Sequence, residues 1–388
     1  MTRNLPPGWG NTTVGEACSI RNDLRLPISR EDRVTMNGPY PYYGPTGPLD
    51  AIAEFRLDGT FALIGEDGDH FLDVEKKPQT ILVSGKFNVN NHAHVIESTN
   101  LCGAEWFYNY FRHRSIKPFL TRQGAGRYKL NKAALQKLPI VLPPVPEQEA
   151  ISALFRDWDT AIQKTEQLIA AKERHRDALI QRLYLRSDSC GRPSRFGDLL
   201  AESMEVGQNG LHAKKITVRL YGKGVFAKEE KRLGSERTQY FVRRTGQLIY
   251  SKLDFLNGAF GIIPPELDGY ESTLDLPAFD IAPTVNPVWL LGYLTRPIYY
   301  TRQVGLARGQ RKARRVHPSD LLASGLKVPP RGLQDRIAEI LTSSQCDIDK
   351  SQRLLEALKT QKRGLMQKLL TGQWRLPVSA PQPEHGNL

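Results

Sequence analysis

The pattern with the longest reach along the chain is an apolar stripe that begins after Pro146. About forty residues follow without Pro or Gly, and Ile151, Leu154, Phe155, Trp158, Ile162, Leu168, Ile169, Leu179, Ile180 and Leu183 recur mostly in steps of three or four. A helix of that length spans ~58 Å at ~1.5 Å per residue, and a narrow stripe on so long a rod asks for a partner helix. The partner lies in the same chain. A shift of 186 residues carries Pro143-Pro144 onto Pro329-Pro330, Gln148 onto Gln334, Ile151 onto Ile337, Ile162 onto Ile348 and Leu183 onto Leu369 without a gap. At the front of each half, Val14-Gly15-Glu16-Ala17 recurs as Phe196-Gly197-Asp198-Leu199, at a shift of 182.

The chain therefore reads as globule, rod, globule, rod, with boundaries at 1–146, 147–187, 188–332 and 333–375. The Pro-rich remainder, 376–388, is expected to be disordered. Such a duplication predicts pseudo-two-fold symmetry within one chain. The two rods are expected to pair antiparallel. Ile151, Phe155, Trp158, Ile162 and Leu168 of the first would share a seam with Ile337, Leu341, Ile348, Leu355 and Leu358 of the second.

Inside the globules the patterning is shorter and β-rich. Strands are predicted around Tyr40–Tyr42, Phe61–Ile64, Thr80–Ser84 and Asn88–Ile96, and helices over Glu105–Phe111 and Lys132–Leu138. The second globule predicts strands at Lys215–Tyr221, Gln239–Val242, Gly246–Lys252, Ala259–Pro264 and Ala278–Ile281, then a helix over Val288–Thr295. Mixed globules beside long helices place the fold in the α+β class.

Composition adds two constraints. No run approaches membrane-spanning length and the first residues hold no apolar segment, which suits a cytoplasmic protein without membrane contact. Cys18, Cys102, Cys190 and Cys346 lie far apart without metal-binding spacing, as reduced thiols would. The net charge of +13 sits in the globules. The second holds 22 Lys/Arg against 14 Asp/Glu, whereas the first rod is balanced at 7 against 7. A neutral rod suits protein contacts and a basic globule suits phosphate. The densest run is Arg308, Gln310, Arg311, Lys312, Arg314 and Arg315, too charged for a core and suited to phosphate; Arg122, Arg127 and Lys129 form a thinner counterpart.

Candidate catalytic groups do not assemble. His92 and His94 would share one strand face but find no third ligand. Asp67 and Asp69 ahead of Glu75-Lys76-Lys77 read as a solvated turn rather than a metal-dependent nuclease cluster. Asn286-Pro287-Val288-Trp289 lacks the second proline of the motif with which adenine methyltransferases grip a flipped base, and reads as a helix start. Neither Gly85-Lys86 nor Gly222-Lys223 is a phosphate-binding loop.

Several stretches carry a resemblance: Tyr40-Pro41-Tyr42-Tyr43-Gly44-Pro45-Thr46-Gly47, Leu63-Ile64-Gly65-Glu66-Asp67-Gly68, Asn90-Asn91-His92-Ala93-His94-Val95, Tyr250-Ser251-Lys252-Leu253 and Gly309-Gln310-Arg311-Lys312. With the duplicated rods, they resemble the specificity subunit of a type I DNA restriction-modification enzyme, over nearly the whole chain. One departure is Leu333, where the first copy has Glu147. The resemblance implies two target recognition domains, each reading one half of a split double-stranded DNA site, separated by two antiparallel helices that form a coiled coil and set the spacing. It implies no catalysis and no cofactor in this chain. Two methyltransferase subunits using S-adenosylmethionine would dock on it, and restriction/translocase subunits using ATP and Mg would join them. Tyr42, Tyr43, Lys86, Asn91, His92, Ser251 and Lys252 join the basic runs as candidate DNA contacts. A stand-alone DNA adenine methyltransferase or nuclease, and a coiled-coil scaffold without a nucleic-acid role, remain the alternatives.

Overall fold

Proline fixes φ and lacks an N–H, so a helix does not run through Pro143-Pro144 or Pro329-Pro330. In the computed structural model a long helix starts directly after each pair, at Val145–Cys190 and Arg331–Leu369. Residues 5–74, 77–123, 127–229, 234–309 and 314–377 are described. Inside each helix start a buried glutamine turns back on the prolines. Gln148 Nε2 donates to the Pro143 carbonyl at 2.9 Å, and Gln334 Nε2 donates to the Pro329 carbonyl at 2.9 Å. Each Oε1 accepts the N–H of the residue opening a short helix of the globule: Gly103 at 3.1 Å before Ala104–Phe111, and Asn286 at 2.8 Å before Pro287–Leu294. The repeated glutamine thus joins rod to globule. Gln148→Ala and Gln334→Ala are each expected to lower stability by roughly 2–4 kcal/mol, since two or more backbone groups lose a buried partner. Urea unfolding checks this. Ser152→Ala is the control: its buried hydroxyl has no hydrogen-bond partner among the described residues, so its loss should be close to neutral.

The chain folds as two compact units, Met1–Thr165 with Leu354–Leu388, and Glu166–Arg353. Each unit therefore holds one globule and a half of each long helix. In the first, a six-stranded sheet runs in the order Ser19–Ile20, Ala93–Glu97, Leu57–Gly65, Thr80–Val89, Asn37–Tyr43, Pro48–Ile52. Period-two alternation gives it two cores. Ala62, Ile64 and Ile96 face the helix Ala104–Phe111, while Phe61, Leu63, Val83, Phe87 and Val95 form the other face. Asn88–Ile96 is not one strand, because the Asn90 side chain accepts the His92 N–H at 2.9 Å and forces a turn there.

The second unit repeats the central part of this sheet. Its order Leu200–Ser203, Ala278–Ile281, Leu248–Tyr250, Phe260–Ile262 matches Ser19–Ile20, Ala93–Glu97, Leu57–Gly65, Thr80–Val89. The pairs Ala62↔Ile96 and Leu63↔Val95 of the first unit correspond to Leu248↔Phe279 and Ile249↔Ala278 of the second. Both globules are closed by one antiparallel strand pair, Gly10–Thr13 with Pro139–Leu142 and Arg192–Arg195 with Gly325–Val328. The short helices carry a further repeat at a shift of 183, buried Trp106 and Tyr110 against Trp289 and Tyr293.

Within each unit the helix halves run antiparallel. In the first, buried Ile151 and Phe155 share a core with Met366, Leu369 and Leu370, and Lys362 meets Asp159 at 2.5 Å. In the second, Ile337 packs with Tyr184, flanked by Ile180 and Leu341, while Lys172 meets Asp347 at 2.8 Å and Arg176 hydrogen-bonds Gln345. Ile348 is buried, and Trp158, Ile162, Leu355 and Leu358 are half-buried. Leu168 is not a seam residue. It is 48% exposed, and its neighbour Ile169, a ~100° rotation away on the helix, is the buried one.

Candidate nucleic-acid interface

Both units build the same backbone node at the end of the central strand. In the first, the Glu66 N–H donates to the His92 carbonyl at 2.8 Å, and the Glu66 carbonyl accepts the Leu130 N–H at 2.7 Å. In the second, the Lys252 N–H donates to the Asp275 carbonyl at 2.9 Å, and the Lys252 carbonyl accepts the Val316 N–H at 3.0 Å. Shifts of 186 relate Glu66 to Lys252 and Leu130 to Val316. The residue that supplies this last N–H ends or directly follows the second strand of a basic hairpin in each case, Thr121–Gln123 with Arg127–Lys129 and Ala307–Arg308 with Arg315–Val316. Each node therefore holds together a central turn, a neighbouring loop and a basic hairpin.

The side chains on the two nodes differ. Around Glu66 stand Arg25 at 2.7 Å, Lys129 at 3.2 Å and His94 at 4.0 Å. Burial opposes its ionisation, but the hydrogen bonds from Arg25 and Lys129 prevail and hold the carboxyl below its ordinary range. Arg25 also donates to the Asn91 carbonyl at 3.1 Å, and exposed His92 pairs with Asp67 at 2.8 Å. His94 is buried, and burial pushes its pKa down. Its Nε2 donates to the Leu130 carbonyl at 2.6 Å and its Nδ1 accepts from the Asn22 amide at 2.8 Å, so the neutral ring is fully used as a strut. It does not form a ligand pair with His92. In the second node Arg315 pairs with Asp275 at 3.3 Å and Arg308 with Asp320, while Lys252 and exposed Arg314 enter none of the ion pairs among the described residues. The same scaffold thus presents a carboxylate-centred cluster once and a lysine-centred one once.

The other candidates separate by exposure. Lys86, Asn91 and Arg122 are exposed, with Lys86 lying 4.6 Å over the Phe55 ring, and Tyr43 is half-buried against Phe87. Tyr42 is a core residue instead: fully buried, its hydroxyl donates to the Leu26 carbonyl at 2.7 Å and accepts the Ile28 N–H at 3.1 Å. Ser251 is likewise buried, its hydroxyl holding the turn by accepting the Asp254 N–H at 3.1 Å. Asn286 caps its helix through the Val288 and Trp289 N–H groups, and Trp289 is buried, so neither is available to a base. Gln310, Arg311, Lys312, the Arg127 side chain and residues 378–388 lie outside the described residues. Arg25, Glu66 and Asp275 escaped the sequence reading. The 186-residue shift already linked Glu66 to Lys252, but their opposite charges hid the equivalence, and Arg25 carries no repeat signal.

Residues 6–173 match the family model of the type I restriction modification DNA specificity domain. The match spans the first globule and the beginning of the first long helix. It is 35% identical over 138 residues to a Haemophilus influenzae protein named for the specificity subunit of a type I restriction enzyme; the match covers 36% of this chain and 34% of that protein. The fold likeness runs further. A crystal structure of the type I restriction-modification system S subunit from M. genitalium superposes with a TM-score of 0.61 at 12% identity, covering 95% of this chain and 97% of that one. A structure describing complex assembly and conformational transition of a type I system gives 0.54 at 16%, covering 96% and 100%. At these identities the likeness is one of fold, and it includes both units. No helix among the described residues is long and apolar enough to cross a membrane.

Proposed function

We propose that the chain is the non-catalytic DNA-reading subunit of a type I restriction-modification assembly, with each node and its hairpin facing one half of a bipartite duplex site. The observation that carries this reading is the node itself, one backbone construction built twice and decorated with different polar side chains. Phosphate contacts from a basic hairpin position a protein, whereas variable side chains on a fixed scaffold read base edges. The long helices serve as spacer and as docking surface for two methyltransferase subunits. S-adenosylmethionine, ATP and Mg belong to those and to the restriction/translocase subunits. This chain binds none of them in this reading.

The test is salt-dependent binding of the full chain to duplex DNA. Lys252→Ala with Arg314→Ala should flatten the slope of log affinity against log salt by about one unit per lost phosphate contact. Arg308→Ala and Arg315→Ala should matter less, because Asp320 and Asp275 already offset their charges. An unchanged slope in the first variant would sink the phosphate role. Tight binding of S-adenosylmethionine, or DNA cleavage by the chain alone, would favour the enzyme alternative.

A further inference from the structure

Among the described residues, Tyr221 is the one non-glycine residue in the left-handed region, at φ +59°. A Cβ is crowded there, and such a residue persists only where its surroundings hold it. Here they do. The strands Ile216–Val218 and Val225–Ala227 pair antiparallel, the Arg219 N–H bonds the Gly224 carbonyl at 2.9 Å, and the Tyr221 and Gly222 N–H groups bond the Asn257 and Gly258 carbonyls at 2.9 and 2.8 Å. The side chain gains little from this strain, since Tyr221 is 63% exposed. Two cations flank it. Arg219 stacks its guanidinium 3.9 Å from the Phe226 ring centre, which fixes its direction, and Lys223 is exposed. Neither enters an ion pair among the described residues. The carbonyls that hold this tip belong to the turn after Ser251, whose other end carries Lys252 and the basic hairpin.

From this we infer that the Arg219–Gly224 hairpin is a second DNA-reading element of the second unit, with Tyr221 packing against bases or sugars and Arg219 and Lys223 engaging the flanking backbone. The inference rests on the proposed DNA-reading function and deepens it. A strained, rigid, solvent-facing aromatic between two cations that form no ion pair among the described residues suits a polyanion carrying flat apolar faces. A protein partner for the same tip would call for acidic complementarity and would leave DNA selectivity untouched. Specificity would then arise at two places in this unit, the node and the hairpin tip, joined through one turn.

Tyr221→Gly is the decisive variant, because glycine adopts this backbone freely and the fold is not endangered. The full chain is first used to select its preferred duplexes from a random pool. Tyr221→Gly is then compared with the unmodified chain on the selected duplex and on duplexes scrambled in either half. Expected is about a tenfold loss on the selected duplex, no change where the half read by the second unit is already scrambled, and a full response where only the other half is scrambled. Arg219→Ala with Lys223→Ala should weaken all duplexes alike. If Tyr221→Gly changes nothing, or weakens every duplex equally, the reading role is overturned while the proposed function stands. If only assembly with methyltransferase subunits suffers, the tip is a protein contact and the inference is likewise overturned. If the unmodified chain enriches no motif, the proposed function fails and this inference with it.

Discussion

Arg375→Ala is expected to destabilise the first unit more than any other single change at its surface. The reason is Glu147, which is 1% exposed yet holds a carboxylate in the first turn of the first long helix. The Trp9 indole donates to it at 3.0 Å, and Arg375 grips it through Nε at 3.0 Å and Nη2 at 2.6 Å while Nη1 reaches the Pro7 carbonyl at 2.9 Å. Removing the arginine leaves a buried carboxylate with the Trp9 indole as its remaining side-chain partner among the described residues, which is the costly half of breaking such a pair. The repeat explains why the clasp is there. In the second unit the corresponding helix end runs through Cys190-Gly191 directly into the strand Arg192–Arg195, and the residue equivalent to Glu147 is Leu333, half-buried against the core. In the first unit the helix ending at Leu369 and the strand Gly10–Thr13 are not successive in the chain, so side chains do what a peptide bond does in the other copy. The double variant Glu147→Leu, Arg375→Ala should recover most of the loss, because an apolar residue of similar size leaves no charge to strand. Thermal unfolding followed by amide exchange at Gly10–Thr13 reads both. A silent Arg375→Ala would show that the contact contributes nothing.

The rods and their starts were legible because the signals there are local and strong: Pro-Pro stops, a repeated glutamine and 3.6-residue periodicity. The shared four-stranded sheet was not. Its strands recur at shifts that change from 182 to 186 to 183 as loops differ in length, and Leu248–Tyr250 is buried on every residue, so no alternation marks its faces. The repeat of Trp106 and Tyr110 as Trp289 and Tyr293 was readable in principle, but it needed the third of those shifts. Leu168 was misplaced because two adjacent apolar residues on a helix compete for one seam, and only the packing decides between them. Tyr42 and Ser251 look like surface residues in their Gly- and Pro-rich or polar surroundings, yet both are spent on backbone groups inside the fold. The hairpin of Arg308 and Arg315 was legible as surface from charge density alone. That its first unit counterpart stands on the same node as Glu66 was not, because backbone hydrogen bonds leave no mark on side-chain identity.

Exchange of the second globule for that of a related chain is expected to replace one half of the recognised DNA site completely and leave the other half intact. The joints matter. Cutting at 196 and 324 keeps the strand pair Arg192–Arg195 with Gly325–Val328, whose register runs from Arg192↔Val328 to Arg195↔Gly325, together with both long helices. Among the hydrogen bonds that then cross the joints are those from the Asn286 N–H to Gln334, from the Tyr184 hydroxyl to the Trp289 carbonyl at 2.6 Å, and from the Trp289 indole to Ser187 at 3.3 Å. The first two use backbone groups of the incoming globule and the third needs a tryptophan, so a related globule with a helix start at 286 and Trp at 289 should seat correctly, while one lacking that tryptophan should fold less stably. Nothing in the node of the first unit is touched by the exchange, because Glu66, Arg25, His92 and Lys129 are held by residues of that unit alone. Methylation mapping in cells carrying the hybrid with its methyltransferase partners distinguishes the outcomes. A new second half-site beside the original first one is the expected result. A folded hybrid that had lost both halves would mean that the two nodes do not read independently, and that the recognised sequence is a property of the whole chain rather than of each repeat.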